Sequence, residues 1–117
     1  MSRALLTPVH RPDSLSIEDV VAGGRLTLRL AGELDLASAG TLFDTVLTGS
    51  GDSLSAITLD LRGLDFIDAG GLHAILGVRA LCNERGYVFS LIPGEQHVHR
   101  LFELTGLDAR LPFADRA

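Results

Sequence analysis

The sequence predicts a two-layer α/β domain, with a mixed sheet of four to five strands and helices mainly on one face. Strand-like and helix-like segments alternate along the chain, and strands that are joined through helices run parallel with right-handed crossovers. Strands covered on both faces read as continuous apolar runs, whereas residues 25–30 alternate leucine with arginine and threonine. One face of the sheet is therefore expected to lack helices.

Length and composition indicate one domain. The 117 residues can bury a single hydrophobic core, and we assign residues 1–12 to a flexible lead-in and residues 13–117 to the domain. A net charge of −5, with ten arginines and no lysine, argues against nucleic-acid binding. No segment reads as a membrane span or a secretion signal, and the single cysteine, Cys82, fits a reducing compartment. We expect a cytoplasmic protein that does not bind membranes.

The first half of the domain is predicted to form two strands and a helix. Residues 15–21 form an edge strand with Leu15, Ile17 and Val20 inward, and residues 22–24 form the turn that follows. Residues 25–30 alternate cleanly as a second strand. Residues 37–48 form a helix whose core-facing side carries Ala39, Leu42, Phe43 and Val46.

The second half repeats the pattern twice. Residues 56–61 form a strand whose polar members point away from the core, and the chain is expected to turn at Gly63. Residues 69–84 form a helix that is apolar around much of its circumference and should be the most buried one. The last strand comprises residues 87–92 and the last helix residues 95–105. A glycine placed to end a helix follows the helix at 69–84 and the helix at 95–105.

Acidic residues follow both inner strands. Glu33 and Asp35 come after the first of these strands, and Asp65 and Asp68 come after the second. The carboxyl ends of parallel strands share one edge of the sheet, where α/β proteins usually meet ligands and partners. A solvated acidic rim with helix caps is the alternative interpretation. A magnesium-dependent phospho-aspartate pocket is disfavoured because the chain has no lysine.

The residue pattern predicts no enzyme, cofactor or metal site. Cys82 falls inside a buried helix, where a thiol is usually inert. His97 and His99 are two residues apart on a helix and face different ways, which is poor geometry for a shared metal. The glycine-rich phosphate loops and the nucleophile-elbow motif are absent from the sequence.

Residues 15–113 resemble the STAS domain family of bacterial anti-sigma-factor antagonists. The most specific segment is residues 59–72, Leu-Asp-Leu-Arg-Gly-Leu-Asp-Phe-Ile-Asp-x-x-Gly-Leu, with support from residues 30–35 and 101–107. The resemblance implies a protein that binds an anti-sigma factor, often a serine kinase, and thereby frees a sigma factor. It implies a partner-binding surface made of Glu33, Asp35, Asp68, Ala69, Gly70, Gly71, Leu72 and His73.

The chain departs from the family at the turn that the kinase phosphorylates. The family carries Asp-Ser-Ser-Gly-Leu or Asp-Ser-Thr-Gly-Leu there, whereas this chain has Ala69 and Gly70 at the two hydroxyl positions. No serine or threonine lies between Thr58 and Ser90. The resemblance therefore implies an antagonist that lacks the usual phosphoacceptor, and a serine placed at Gly70 is expected to restore phosphorylation.

Two alternatives stay open at this stage. The domain could be a STAS scaffold, or a nucleotide- or ligand-sensing module in a larger regulatory assembly. Against a nucleotide, the sequence offers no basic phosphate cradle at the start of the helix near Ala69, and Asp68 would repel an anion there. A homodimer formed through the polar sheet face or the edge of the first strand also stays open.

Overall fold

A four-stranded mixed sheet and three α-helices form the fold of residues 14–114, which are the residues that the computed structural model describes. The predicted lead-in, residues 1–12, lies outside them. The elements in chain order are β1 (Leu15–Ala22), β2 (Arg25–Leu34), α1 (Ala39–Gly49), β3 (Ala56–Ile67), α2 (Ala69–Arg85), β4 (Val88–Ile92), α3 (Gln96–Leu104) and a 3₁₀ helix (Leu107–Ala109).

The strands follow one another across the sheet in the order β1, β2, β3, β4. The short turn after β1 makes it antiparallel to β2, whereas β2, β3 and β4 are joined through helices and run parallel. This topology confirms the predicted α/β class, with a mixed sheet of four strands.

One hydrophobic core joins the sheet to all three helices. Leucine and isoleucine side chains from one face of β2 and β3 pack in a single cluster with buried side chains of α1, α2 and α3. As predicted, α2 is the most buried helix, with six buried residues against two in each of the other α-helices. Within residues 14–114, none of the helices is long and apolar enough to cross a membrane.

The predicted turn at Gly63 is wrong, because β3 continues through it to Ile67. β2 also extends further than expected and supplies the missing partner, since Ala31 pairs with Gly63 and Leu34 pairs with Ile67. The register shifts between these pairs, which interrupts the alternation of apolar residues by which the sequence identified the strand. The extension brings the ends of β2 and β3 to the same point.

The polar face of the sheet is more buried than its pattern predicted. Thr58 and Asp60 are 6% and 5% exposed, although both were expected to point toward solvent. Thr58 bonds to the guanidinium of Arg25 and to the hydroxyl of Ser90, both at 2.8 Å. The guanidinium of Arg62 donates two hydrogen bonds to Asp60, at 3.0 and 2.7 Å. The long side chains of Arg25 and Arg62 therefore cover Thr58 and Asp60 on the face of the sheet that has no helix.

The edge strand β1 lies where the pattern placed it, with one error in its inward residues. Leu15 is buried and Ile17 is half-buried, as predicted. Val20 is 38% exposed, so its predicted inward position is wrong. Val20 pairs with Thr27 of β2, whose side chain belongs to the polar face.

Candidate functional site

Asp35 and Ser38 close the turn that joins β2 to α1. The backbone amide of Asp35 donates to the hydroxyl of Ser38, and the amide of Ser38 donates to the carboxylate of Asp35, both at 3.0 Å. The Ser38 hydroxyl also lies 2.8 Å from the carbonyl oxygen of Glu33, to which it can donate. This bonding delays the start of α1 to Ala39, two residues later than predicted. At the outer side of the turn, Leu36 is 78% exposed.

Asp68 caps the turn that joins β3 to α2, as the sequence predicted. Its carboxylate accepts a hydrogen bond from the amide of Gly71 at 2.9 Å, and its own amide donates to the carbonyl of Leu34 at 3.3 Å. A Cβ atom on Gly71 would overlap that same carbonyl group. The start of α2 therefore lies directly against the end of β2.

The two turns touch at Gly70. A Cβ atom on this residue would lie 2.7 Å from Cα and 2.9 Å from the amide nitrogen of Leu36, closer than non-bonded atoms approach. No such restriction applies to Ala69, whose side chain is exposed. Position 70 therefore needs glycine for packing, while position 69 could carry a larger side chain.

An open apolar groove of about 540 Å³ runs between α1 and α2 from these turns, and we call it the α1–α2 groove. Its lining residues are mostly small or apolar, namely Leu36, Ala39, Gly40, Phe43, Ala69, Gly70, His73, Ala74 and Gly77. His73 is the one ionisable side chain among them. Small residues on both helices leave room for a side chain from another molecule.

The structure brings the predicted site residues to the two adjoining turns but exposes them unequally. Ala69 and His73 are exposed, and Glu33, Asp68 and Gly70 are half-buried. The remaining three, Asp35, Gly71 and Leu72, are buried. A rigid partner cannot reach buried side chains, so we expect these three to hold the turns in place rather than to contact the partner.

Sequence reasoning missed the residues of α1 and its turn that line the α1–α2 groove. Leu36 and Phe43 were not assigned to the site, although Phe43 was expected in the core. A usable signal was present in the small residues Gly70, Ala74 and Gly77, which recur at three- and four-residue spacing and so line one side of α2.

Asp65, the remaining acid of the predicted rim, lies inside the extended β3 and not in a turn. Its carbonyl oxygen accepts a hydrogen bond of 2.8 Å from Nε2 of His97. The next residue, Phe66, is 45% exposed and pairs in register with Glu33 of β2. The prediction that all four acids follow the strands is therefore wrong for two of them: Asp35 and Asp68 come after the strand ends, whereas the longer β2 and β3 include Glu33 and Asp65.

Known proteins share this fold and the segment that contains both turns. The model of the family described as "Mlab, STAS domain" matches residues 19–112. The chain belongs to the STAS domain family, the family of the anti-sigma factor antagonists. The anti-sigma F factor antagonist of Paenibacillus polymyxa is 33% identical to this STAS domain over 107 residues, which are 87% of this chain and 88% of the relative.

Solved structures share the same fold. The crystal structure of an anti-sigma factor antagonist from Mycobacterium paratuberculosis matches this STAS domain with a TM-score of 0.76, at 24% identity and over 92% of both chains. The anti-sigma factor antagonist SpoIIAA in its unphosphorylated form matches with a TM-score of 0.66, at 21% identity, over 87% of this chain and 89% of SpoIIAA.

These comparisons confirm the resemblance that the sequence motifs indicated. The relatives from Paenibacillus polymyxa and Staphylococcus aureus are named as anti-sigma factor antagonists. The match spans both turns of the site, from the end of β2 to the start of α2.

Proposed function

We propose that this STAS domain binds an anti-sigma factor of the serine-kinase class through the α1–α2 groove and its two turns, and thereby frees a sigma factor. The observation that carries the proposal is the contact between the turns at Gly70, which presents Leu36 beside the groove. Leu36 is 78% exposed, and the hydrogen bonds of the turn already restrict the backbone that carries it, so binding costs little backbone entropy, which favours a role as an anchor.

The chemistry of this surface suits a partner with an apolar side chain flanked by basic ones. The groove is apolar, and the turn beside it carries Asp68 in a chain of net charge −5. Acidic groups around an apolar patch favour the approach of a basic partner surface and oppose an acidic one. A free nucleotide fits this surface less well, since its phosphates would meet Asp68 at the start of α2.

We further propose that phosphorylation at the β3–α2 turn does not control this domain. SpoIIAA is described in both an unphosphorylated and a phosphorylated form, so antagonists with this fold do carry phosphate. In this chain Ala69 and Gly70 have no hydroxyl group, and no other serine or threonine lies between Thr58 and Ser90. The nearly two negative charges of a phosphoryl group therefore never reach this turn.

The groove proposal is tested by substituting its most exposed apolar residue. We expect Leu36→Asp to weaken binding to the cognate anti-sigma factor by about 30-fold or more, because a charge replaces an apolar anchor and about 2 kcal/mol or more is lost. Isothermal titration calorimetry with candidate anti-sigma kinases from the same genome measures the change.

Leu104→Asp is the matched control for this experiment. Leu104 is 69% exposed, lies at the end of α3 and does not line the groove. Equal weakening by both substitutions would show that added charge alone disturbs binding. Unchanged affinity in Leu36→Asp would exclude the groove as the binding surface.

The alternative of a STAS subunit in a larger regulatory assembly is favoured by one observation: a domain of this fold also occurs within a much larger protein, the murine anion transporter Slc26a9, where the match covers 15% of that chain. A subunit of this kind would bind a component of that assembly and no anti-sigma factor. Co-purification of the chain from its own host, followed by mass spectrometry, separates the two. Recovery of a stable complex without any anti-sigma factor would support the alternative.

A further inference from the structure

A second cluster of polar side chains lies on α3, outside the α1–α2 groove. His99 and Glu103 are four residues apart on α3 and share one side of this helix. The chain then turns back at Gly106, whose φ of 76° places it in the left-handed region, and the 3₁₀ helix brings Asp108 alongside. One nitrogen or oxygen atom from each of the three side chains lies within 4.8 Å of the other two.

The imidazole of His99 is held firmly at this point. Its ring stacks on Phe102, with 5.6 Å between the ring centroids, and meets the edge of Phe113 at 4.8 Å. Phe102 is fully buried, so the two aromatic rings fix the orientation of the imidazole. A preset ring orientation is what a histidine ligand needs, because less freedom is lost when a metal binds.

The side chains of this cluster make few hydrogen bonds or ion pairs with the rest of the described chain. The Nδ1 atom of His99 is buried and has no hydrogen-bond partner in the described part of the chain. Within residues 14–114 neither Glu103 nor Asp108 forms an ion pair, and the Glu103 carboxylate accepts only a 3.3 Å hydrogen bond from the side chain of Gln96. Two carboxylates and an imidazole that form no ion pair have the charge and the ligand atoms to bind a divalent cation.

We propose that His99, Glu103 and Asp108 bind one divalent transition-metal ion of the Zn²⁺ class. One nitrogen and two oxygen ligands favour Zn²⁺, Co²⁺ or Ni²⁺ over Mg²⁺ or Ca²⁺, which prefer oxygen alone. Zn²⁺ accepts three protein ligands with water in the fourth position. The side chains of Glu103 and Asp108 are exposed and can rotate inward to meet the ion.

The bound ion would tie the end of the chain to α3. Asp108 precedes Leu111, which is buried, and Phe113, which forms a β-bridge to Leu91 of β4. A ligand from each side of the Gly106 turn therefore joins α3 to the segment that closes this end of the core. The metal stabilises the folded chain because the unfolded chain does not hold the three ligands together.

Calorimetric titration of the full, untagged chain with ZnCl₂ tests this proposal. We expect one site with a micromolar dissociation constant, and a rise in the melting temperature that EDTA reverses. Glu103→Gln and Asp108→Asn keep the shape of two exposed side chains and should each weaken Zn²⁺ binding by at least tenfold. These effects require no anti-sigma factor, so the result is independent of the proposed function.

His97→Gln is the matched control, because His97 lies on the same helix but outside the cluster. It should leave the affinity for Zn²⁺ unchanged. In nuclear magnetic resonance spectra, Zn²⁺ should shift the ring signals of His99 and leave those of His97 in place. Binding weaker than millimolar, or equal affinity in wild type, Glu103→Gln and Asp108→Asn, would overturn the proposal.

Discussion

Gly70 packs against the backbone of Leu36 where the two turns of the site meet. Its lack of a side chain has two consequences, since it removes a phosphoacceptor hydroxyl and it permits the close approach of Leu36. The expectation that Gly70→Ser restores phosphorylation therefore needs revision. A serine there would push the turn at Leu36 away, whereas Ala69→Ser adds a hydroxyl at an exposed position and leaves the packing unchanged.

Asp60 is buried on the polar face of the sheet and forms an ion pair with Arg62. Hydrogen bonds from Arg62 hold the pKa of the Asp60 carboxyl below its ordinary value of 3.8. A carboxyl with a lowered folded-state pKa stabilises the fold at pH values above its unfolded pKa, about 3.9, and loses this contribution as the pH falls through the folded pKa.

Asp60→Asn should therefore make the free energy of unfolding less dependent on pH below about pH 4, since asparagine does not titrate. Urea denaturation at pH values from about 2.5 to 7 measures the effect. Asp44→Asn, on the exposed side of α1, controls for the change in net charge. The same pH dependence in both variants would show that the Arg62 contact does not act on Asp60 in this way.

At the scale of elements, the sequence predicted all four strands and all three α-helices of residues 14–114 but not the 3₁₀ helix, and it correctly placed the start of α2 and the left-handed glycine after this helix. The predicted element boundaries are wrong where hydrogen bonding to another segment or within a turn outweighs the side-chain pattern. β3 passes Gly63 because β2 continues beside it, and α1 starts late because Asp35 and Ser38 bond to each other. The strand that pairs with β3 at Gly63 lies far away in the sequence and cannot be recognised from a local window. Asp35 and Ser38 are three residues apart, so their turn is a local signal that the sequence analysis missed.

The helix glycines provide a stability test at this scale. Gly71→Ala should destabilise the domain by about 2–3 kcal/mol, because the added Cβ overlaps the Leu34 carbonyl and forces α2 away from β2. Gly40→Ala should stabilise it by about 0.5–1 kcal/mol, because a Cβ there meets no atom within 4 Å and alanine favours the helix. Chemical denaturation followed by circular dichroism measures both values. Equal effects would contradict the described packing of the turns.

At the scale of the whole molecule, alternating apolar residues and connection lengths were sufficient to predict a parallel arrangement of the inner strands with helices mainly on one face. The α1–α2 groove was beyond such reasoning, because it depends on how closely two helices that are distant in sequence approach each other. The candidate site was therefore predicted only in part. The sequence showed the acidic turn and the absence of hydroxyl groups at positions 69 and 70, but it did not indicate that Leu36 and α1 line a groove.

We propose that the domain binds an anti-sigma kinase and that no phosphoryl group at the β3–α2 turn releases it. Native mass spectrometry of the chain with candidate kinases from its own genome, with and without Mg-ATP, tests it most directly, with Ala69→Ser as the comparison variant. The wild-type complex should survive ATP without gaining a phosphoryl group, whereas Ala69→Ser should become phosphorylated and dissociate. A phosphorylated wild-type chain, or a wild-type complex that dissociates on adding ATP, would contradict the claim.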